Sequence, residues 1–337
     1  MRFQDIADIL AVPDLRERLD HVEVALNEAV AGDGALLGTA SLRVANGGGK
    51  RLRPLLTIAV AELAACFDER VVAGSAAVEL VQVGSLVHDD IFEEAATRRG
   101  VPTINAVEGT KHALLAGDYI LAVAGGLAAT VSAEAAGLLG RTVVKLCEGQ
   151  IVEMQDVHNV ERSITDYLRS IRGKTASLFS ASCQIGAMCA GFDDDRLAAV
   201  GRFGDSFGMA FQLLDDVLDF IADPVVLGKP VGIDLETGVY TLPVLDALRA
   251  PGGQQLAGML RRRTPEDLAL ARERVRAAGT LETTVAEARR HAKAATEALA
   301  PLGEDRGVTG LRALPTRYVD LALHHFTSGR WTGAAAS

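Results

Sequence analysis

Aromatic residues are scarce in this chain. Ten phenylalanines, four tyrosines and one tryptophan make up 4% of 337 residues, while 49% are hydrophobic. Alanine, leucine and valine therefore carry the core, and such a composition favours helices. Positive charge is also short: 34 Lys and Arg against 44 Asp and Glu, a formal net charge of −10. That balance excludes a general nucleic-acid binder. The four cysteines (Cys66, Cys147, Cys183 and Cys189) lie in apolar stretches without CxxC spacing. They read as reduced, buried thiols of a cytoplasmic protein. Long apolar runs are missing too. The most apolar one, Tyr119 to Ser132, is bounded by Asp118 and Glu134. It falls short of the ~20 residues that cross a bilayer and reads as a buried helix, so no transmembrane segment is expected. Met1 to Asp8 is charged and polar, unlike a secretory leader.

No Pro/Gly/Ser-rich linker, short repeat or alternating strand pattern interrupts the chain. Residues 1–337 read as one all-α domain with a loose tail at about 328–337. Pro13-Asp14-Leu15 opens a helix to about Val30, and Asn46-Gly47-Gly48-Gly49 breaks the chain before a helix starting near Arg53. Apolar helices are expected at about 70–94, 110–132, 134–157, 174–190 and 194–222. Thr264-Pro265-Glu266-Asp267 combines a capping hydroxyl, a first-turn proline and acids at the positive helix end. Further helices are expected at about 266–278, 280–300 and 307–327.

Two acidic segments stand inside apolar helical runs: Asp89-Asp90-Ile91-Phe92-Glu93 and Asp215-Asp216-Val217-Leu218-Asp219. Carboxylates there are costly unless something neutralises them. Residues i and i+4 share a helix face, so Asp89 with Glu93, and Asp215 with Asp219, each project two carboxylates into one space. Mg²⁺, which binds through one or two carboxylates plus substrate phosphates, suits that arrangement. Cations beside glycine bracket the acids: Gly47 to Pro54 with Lys50, Arg51 and Arg53, then Arg98-Arg99-Gly100, then Gly228-Lys229-Pro230. Glycine lets backbone N–H groups approach phosphate, and Lys and Arg bind its oxygens. Lys174-Thr175 reads as a helix start, where the dipole adds to anion binding. Asp193-Asp194-Asp195 reads as helix capping, Arg261-Arg262-Arg263 as a solvated helix end, and His88 as a packing residue.

The motifs GGGKRLRP (47–54), HDDIFEEAATRRG (88–100), LLAGDY (114–119), EGQ (148–150), GKTASLF (173–179), FQLLDDVLD (211–219) and GKPVGIDLETG (228–238) follow in order. Together they resemble the all-trans isoprenyl (polyprenyl) diphosphate synthases. The resemblance implies a helical bundle around a deep central cavity, of the isoprenoid synthase type, usually homodimeric. It implies condensation of isopentenyl diphosphate with an allylic diphosphate, with about three Mg²⁺ ions per site held by Asp89, Asp90, Glu93, Asp215, Asp216 and Asp219. By the same resemblance Lys50, Arg53, Arg99 and Gln82 hold isopentenyl diphosphate. Arg98, Lys174 and Lys229 hold the allylic diphosphate, and Thr175 and Gln212 face the allylic carbon.

Three positions depart from the family pattern. Glu93 replaces the usual third Asp, Gln82 stands where His is frequent, and Val239 follows Gly238 where Lys is frequent. In the family, bulky residues just upstream of the first Asp stop product growth. Gly84 and Ser85 are small, so a long product is expected. A short-chain synthase, a class I terpene cyclase and a non-catalytic partner subunit are the alternatives. The acids at both segments and the second set of cations weigh against the last two.

Overall fold

The computed structural model describes residues 3–31, 35–227 and 231–327. Chain order begins with α1 (Phe3–Leu10), α2 (Leu15–Ala31), α3 (Ala35–Ala45), α4 (Leu52–Glu62) and α5 (Glu69–Phe92). A two-residue hairpin, β1 (Thr97–Arg98) with β2 (Val101–Pro102), leads into α6 (Ile104–Glu108), α7 (Thr110–Val131) and α8 (Ala133–Gln155). Then come α9 (Ile164–Ile171), a π-helical turn (Arg172–Ala176), α10 (Ser177–Cys189) and α11 (Asp194–Ile221). The remainder is α12 (Pro224–Leu227), α13 (Ile233–Thr237), α14 (Leu242–Arg249), α15 (Gly253–Arg262), α16 (Pro265–Ala277), α17 (Thr280–Ala298) and α18 (Arg306–Phe326). The fold is all-α, as the sequence indicates. The hairpin is new relative to that reading, because two-residue strands carry no alternation to detect. Its turn sits at Arg99 and Gly100, both at positive φ, which suits a tight hairpin connection.

Local signals account for the long helices. Asp68, Ser132, Asp193, Thr264 and Asp305 cap α5, α8, α11, α16 and α18 by accepting backbone N–H bonds. Asp193 is thus a cap and no ligand. Helices α1, α9 and α14 escape the periodicity reading because each is only eight residues long, while α15 is the helix that ends at Arg261 and Arg262.

At the centre, α10 packs against α4 and α11, α5 against α7, and α11 against α17. Close approach depends on glycine at the crossing points. A Cβ on Gly204 of α11 would stand 2.6 Å from the Phe179 carbonyl oxygen, and one on Gly208 would stand 2.5 Å from the Ala176 Cα.

The structure corrects three expectations. No free helix start exists at Lys174: α9, the π turn and α10 run on without a break, so the dipole argument for that lysine fails. Gly173, inside this continuous run, serves packing, since a Cβ there would meet the Lys145 carbonyl oxygen at 2.7 Å. The thiols are not uniformly buried: Cys183 and Cys189 are, Cys66 is half-buried and Cys147 is exposed on α8. Burial pushes the Cys189 thiol up to about 12. Finally, α7 matches the helix expected at about 110–132, but its apolar stretch from Tyr119 does not form a wholly buried helix. By length and composition α5 and α7 are both apolar enough to cross a membrane, but 67% of the α5 window is buried in the protein against 33% for α7. The α7 helix is therefore only partly covered.

Replacing Gly204 with alanine forces α11 off α10, and we expect a loss of about 1–3 kcal/mol, the usual range for overpacking. A lowered denaturation midpoint with unchanged slope checks this; an unchanged midpoint contradicts the close contact.

Candidate active site

The first acidic wall lies at the C-terminal end of α5. Asp90 is 2% exposed, and Arg98 on the hairpin donates from Nε to Asp90 Oδ1 at 2.5 Å and from Nη2 to Glu93 Oε2 at 2.6 Å. The hairpin thereby folds its cation back onto the acids. Burial pulls the Arg98 guanidinium down, but Asp90 and Glu93 outweigh it and hold it above its ordinary value. Asp89 is half-buried, and burial pushes its carboxyl up to about 6; nearby Lys174 opposes the shift and Glu93 adds to it.

The second wall lies on α11. Asp216 is 2% exposed, and both of its oxygens accept hydrogen bonds. Oδ1 takes one from Gln212 Nε2 at 2.9 Å and Oδ2 one from the Tyr167 hydroxyl. Burial pushes Asp216 up to about 7 against those two bonds. Thr175 on the π turn donates to Gln212 Oε1 at 2.8 Å. Asp219 is buried at the end of α11, where the 231–234 segment folds onto it. The Gly232 N–H donates to its carbonyl at 2.8 Å and the Asp234 N–H reaches Oδ2 at 3.4 Å. Asp215 is half-buried, four residues before Asp219.

Lys174 and Glu153 stand between the walls. Lys174 Nζ donates to Glu153 Oε1 at 2.7 Å. Burial pulls this ammonium down, but Glu153, Asp89 and Glu93 together hold it above its ordinary value. The Glu153 charge also adds to the upward shifts of both Asp89 and Asp216. Asp89 and Asp216, separated by 127 positions in sequence, thus share one electrostatic environment. Glu153 and Tyr167 were invisible in the sequence reading. The only available signal was a lone acid three residues after the EGQ motif and a lone tyrosine seven residues before Lys174.

A second cationic pocket forms where α4, α10 and α18 meet. Arg53 stacks on Phe179, with the guanidinium carbon 4.8 Å from the ring centroid, and its Nε is buried without a hydrogen-bond partner. Burial pulls it down to about 10, with Glu79 opposing and Arg99 adding repulsion. Arg99 donates to the Gly48 carbonyl. Lys50 Nζ donates to the Tyr318 hydroxyl at 3.0 Å and stands 5.0 Å from the Phe326 ring centroid. Tyr318 and Phe326, from the last helix, are further residues the sequence reading missed. Arg51 belongs elsewhere: it is buried, clamped by Glu23 and Glu79, and donates to the Ala45 carbonyl. Gln82 is half-buried on α5. Lys229, with Gly228 and Pro230, lies outside the described residues.

Other positions sort as follows. His88 packs on α7, 3.2 Å from the Leu114 carbonyl oxygen, as expected. Ser85 is half-buried, with its hydroxyl turned back onto the Gln82 carbonyl. Gly84 faces α7, where a Cβ would meet Leu121 at 3.0 Å. Arg262 pairs with Asp267, but Arg263 leaves its helix end to bond His158 and the Glu236 carbonyl. A cleft of about 500 Å³ opens beside the π turn, lined by Lys145, Glu148, Arg169, Arg172 and Asp205; it contains none of the acids of the two walls and none of the cations that face them.

The donor set suits a hard cation, since every candidate ligand is a carboxylate oxygen. Among the described residues no three acidic, His or Cys side chains converge on one point. An ion here needs oxygens from a substrate to complete its shell, as Mg²⁺ held by one or two carboxylates does.

The sequence pattern of the family described as "Polyprenyl synthetase" matches residues 35–276. The chain is 34% identical over 307 residues to heptaprenyl diphosphate synthase component 2 of Bacillus subtilis, spanning 90% of this chain and 88% of that protein. It is 36% identical over 240 residues to geranylgeranyl diphosphate synthase of Sulfolobus acidocaldarius, spanning 69% and 73%. The fold matches the crystal structure of polyprenyl synthase from Caulobacter crescentus complexed with calcium and isoprenyl diphosphate, with a TM-score of 0.86 and 31% identity. That match spans 94% of this chain and 97% of the other.

Asp89 and Asp216 are both held above the ordinary carboxylate value in the metal-free fold, so between about pH 4 and 7 the folded state binds more protons than the unfolded one. Metal-free protein is therefore expected to lose stability as pH rises through that window. Mg²⁺ with pyrophosphate is expected to raise the melting temperature more at pH 8 than at pH 5. A melting temperature that climbs steadily from pH 4 to 7 without metal contradicts this.

Proposed function

The chain belongs to the polyprenyl synthetase family and is a trans-prenyltransferase; from that premise we propose that it extends an allylic diphosphate with isopentenyl diphosphate to a long-chain all-trans product, using Mg²⁺, as a cytoplasmic homodimer. The observation that carries this reading is the presence of two anion sites of different chemistry. One is walled by carboxylates around the Lys174–Glu153 pair. The other is built from Lys50, Arg53 and Arg99 on aromatic rings. Two diphosphates need two such sites, whereas a cyclase binds one.

Asp89, Glu93, Asp215 and Asp219 would hold the ions, Glu93 by exchanging its bond to Arg98; Asp90 is held by Arg98, and Asp216 by Tyr167 with Gln212. Bound Mg²⁺ supplies Lewis-acid neutralisation of the leaving diphosphate. Arg98 and Lys174 add preorganised donors to the same group. Lys229, by resemblance, is a further contact. When the allylic C–O bond breaks, the Thr175 hydroxyl and the Gln212 amide oxygen face the cation that remains. Lys50, Arg53, Arg99 and Gln82 orient isopentenyl diphosphate, whose alkene attacks that cation. The proton then lost goes to the departing diphosphate. The apolar helices exclude water that would quench the cation.

Product length rests on Ser85, one turn before Asp89 and small. Gly84 points at α7 instead, so Leu121 occupies the space beside it. That leucine is the observation that favours the short-chain alternative. The relatives above bear names of both kinds, heptaprenyl and geranylgeranyl. Dimerisation is supported by Leu114, Leu115, Val144, Ile151 and Met154, which are exposed on the neighbouring helices α7 and α8. Several large apolar side chains exposed on two neighbouring helices suit an interface. The Bacillus relative is named as a component, so a different partner subunit on this face is the competing arrangement. The cytoplasmic location is supported by the free thiols, including exposed Cys147.

Purified protein incubated with Mg²⁺, isopentenyl diphosphate and allylic primers is expected to yield all-trans diphosphates beyond twenty carbons. Cyclic hydrocarbons, or no turnover without a second subunit, contradict the reading. Ser85→Phe is expected to shorten the product by one or more five-carbon units, measured by chromatography of the dephosphorylated alcohols. Gly84→Phe displaces Leu121 and tests α5–α7 packing instead. Size-exclusion chromatography with light scattering is expected to show twice the 35.4 kDa chain mass.

A further inference from the structure

Resting on the prenyltransferase reading, we propose that Tyr167 is a positioning residue of the α11 acidic wall. It fixes Asp216, and through it the presentation of Asp215 and Asp219 to the metal-bound diphosphate.

Four side chains form a directional relay. Thr175 donates to Gln212 Oε1, which leaves the Gln212 NH₂ group to donate to Asp216 Oδ1. The Tyr167 hydroxyl donates to the remaining oxygen, Oδ2. Tyr167 is 1% exposed, and the Arg162 guanidinium lies 5.5 Å from its ring centroid. Arg162 is itself tied to the Tyr240 carbonyl at 3.2 Å and to Asp156 at 3.4 Å. The buried ring is therefore packed against Arg162 while its hydroxyl bonds the wall.

The π turn explains how two residues of one strand of helix meet α11 together. Tyr167 and Thr175 are eight residues apart. On an uninterrupted α-helix at roughly 100° per residue they would point about 80° apart. The wider i to i+5 turn at Arg172–Ala176 takes up that angle. Both hydroxyls then reach residues one turn apart on α11, Gln212 and Asp216. With both oxygens bonded, Asp216 cannot rotate toward the ion space, and its neighbour Asp215 is left as the ligand on that stretch. Groups that orient metal ligands from behind commonly change metal affinity by about 10–100-fold when removed.

Tyr167→Phe removes one hydroxyl and keeps the ring. Calorimetric titration of the variant with pyrophosphate and Mg²⁺ is expected to show roughly tenfold weaker binding. The melting temperature without ligand should be near that of wild type, the KM for isopentenyl diphosphate unchanged, and turnover recovered at raised Mg²⁺. Asp216→Asn should weaken the same titration, and the double variant should be no worse than the weaker single variant. Unchanged pyrophosphate binding, additive losses, KM values raised alike for both substrates, or a Phe variant that does not fold would each overturn the proposal. If wild type binds pyrophosphate with Mg²⁺ but forms no elongated product, the prenyltransferase reading fails while the role of Tyr167 stands. If wild type shows no Mg²⁺-dependent pyrophosphate binding, both fail.

Discussion

Like charge crowded into a poorly solvated space is the constraint around which this molecule is organised. Burial pushes Asp89 up to about 6 and Asp216 up to about 7, so the metal-free site keeps carboxylates it does not fully ionise. The Lys174–Glu153 pair sits between them as an internal counterbalance. Arg98 plays the same part at the first wall and neutral donors from Tyr167 and Gln212 at the second. Each wall keeps its acids ready for an external cation because something weaker than that cation holds them meanwhile.

The scaffold follows from this need. Helix α10 is apolar nearly all round and crosses its neighbours closely through glycine, α4 at Gly186 and α11 at Gly204 and Gly208. Tight packing leaves little room for water next to a carbocation. The π turn adds a local cost in hydrogen-bond geometry, offset by bringing Thr175 and Tyr167 together onto α11. The cleft beside it opens to solvent at Arg169 and Arg172.

The two anion sites use different physics. At the acidic site carboxylates would repel a diphosphate unless a metal ion neutralised them. At the other site Arg53 and Lys50 lie over aromatic rings, and burial weakens the hold of Arg53 on its own proton charge. A desolvated guanidinium with an unpartnered Nε gains strongly from an incoming phosphate oxygen. Placing Tyr318 and Phe326 of the last helix there ties the end of the described chain to the chemistry of its first third.

Much of the site was legible from the sequence because its signals are local. Carboxylates at i and i+4 share a helix face whatever surrounds them, and the Gly47 to Pro54 segment sets flexible backbone beside three cations within one short stretch. Helix starts at Asp193 and Thr264 follow from side chains that cap their own first turn. What the tertiary structure alone decided are pairings across distance: Lys50 with Tyr318, 268 residues apart; Tyr167 with Asp216, 49 apart; Lys174 with Glu153, 21 apart. No spacing rule links such positions, since their meeting depends on how whole helices cross. The continuous helix through Gly173, the turn of Gly84 toward α7 and the uncovered face of α7 belong to the same class. Each depends on which neighbour a helix face meets, and that is settled by packing of the entire bundle.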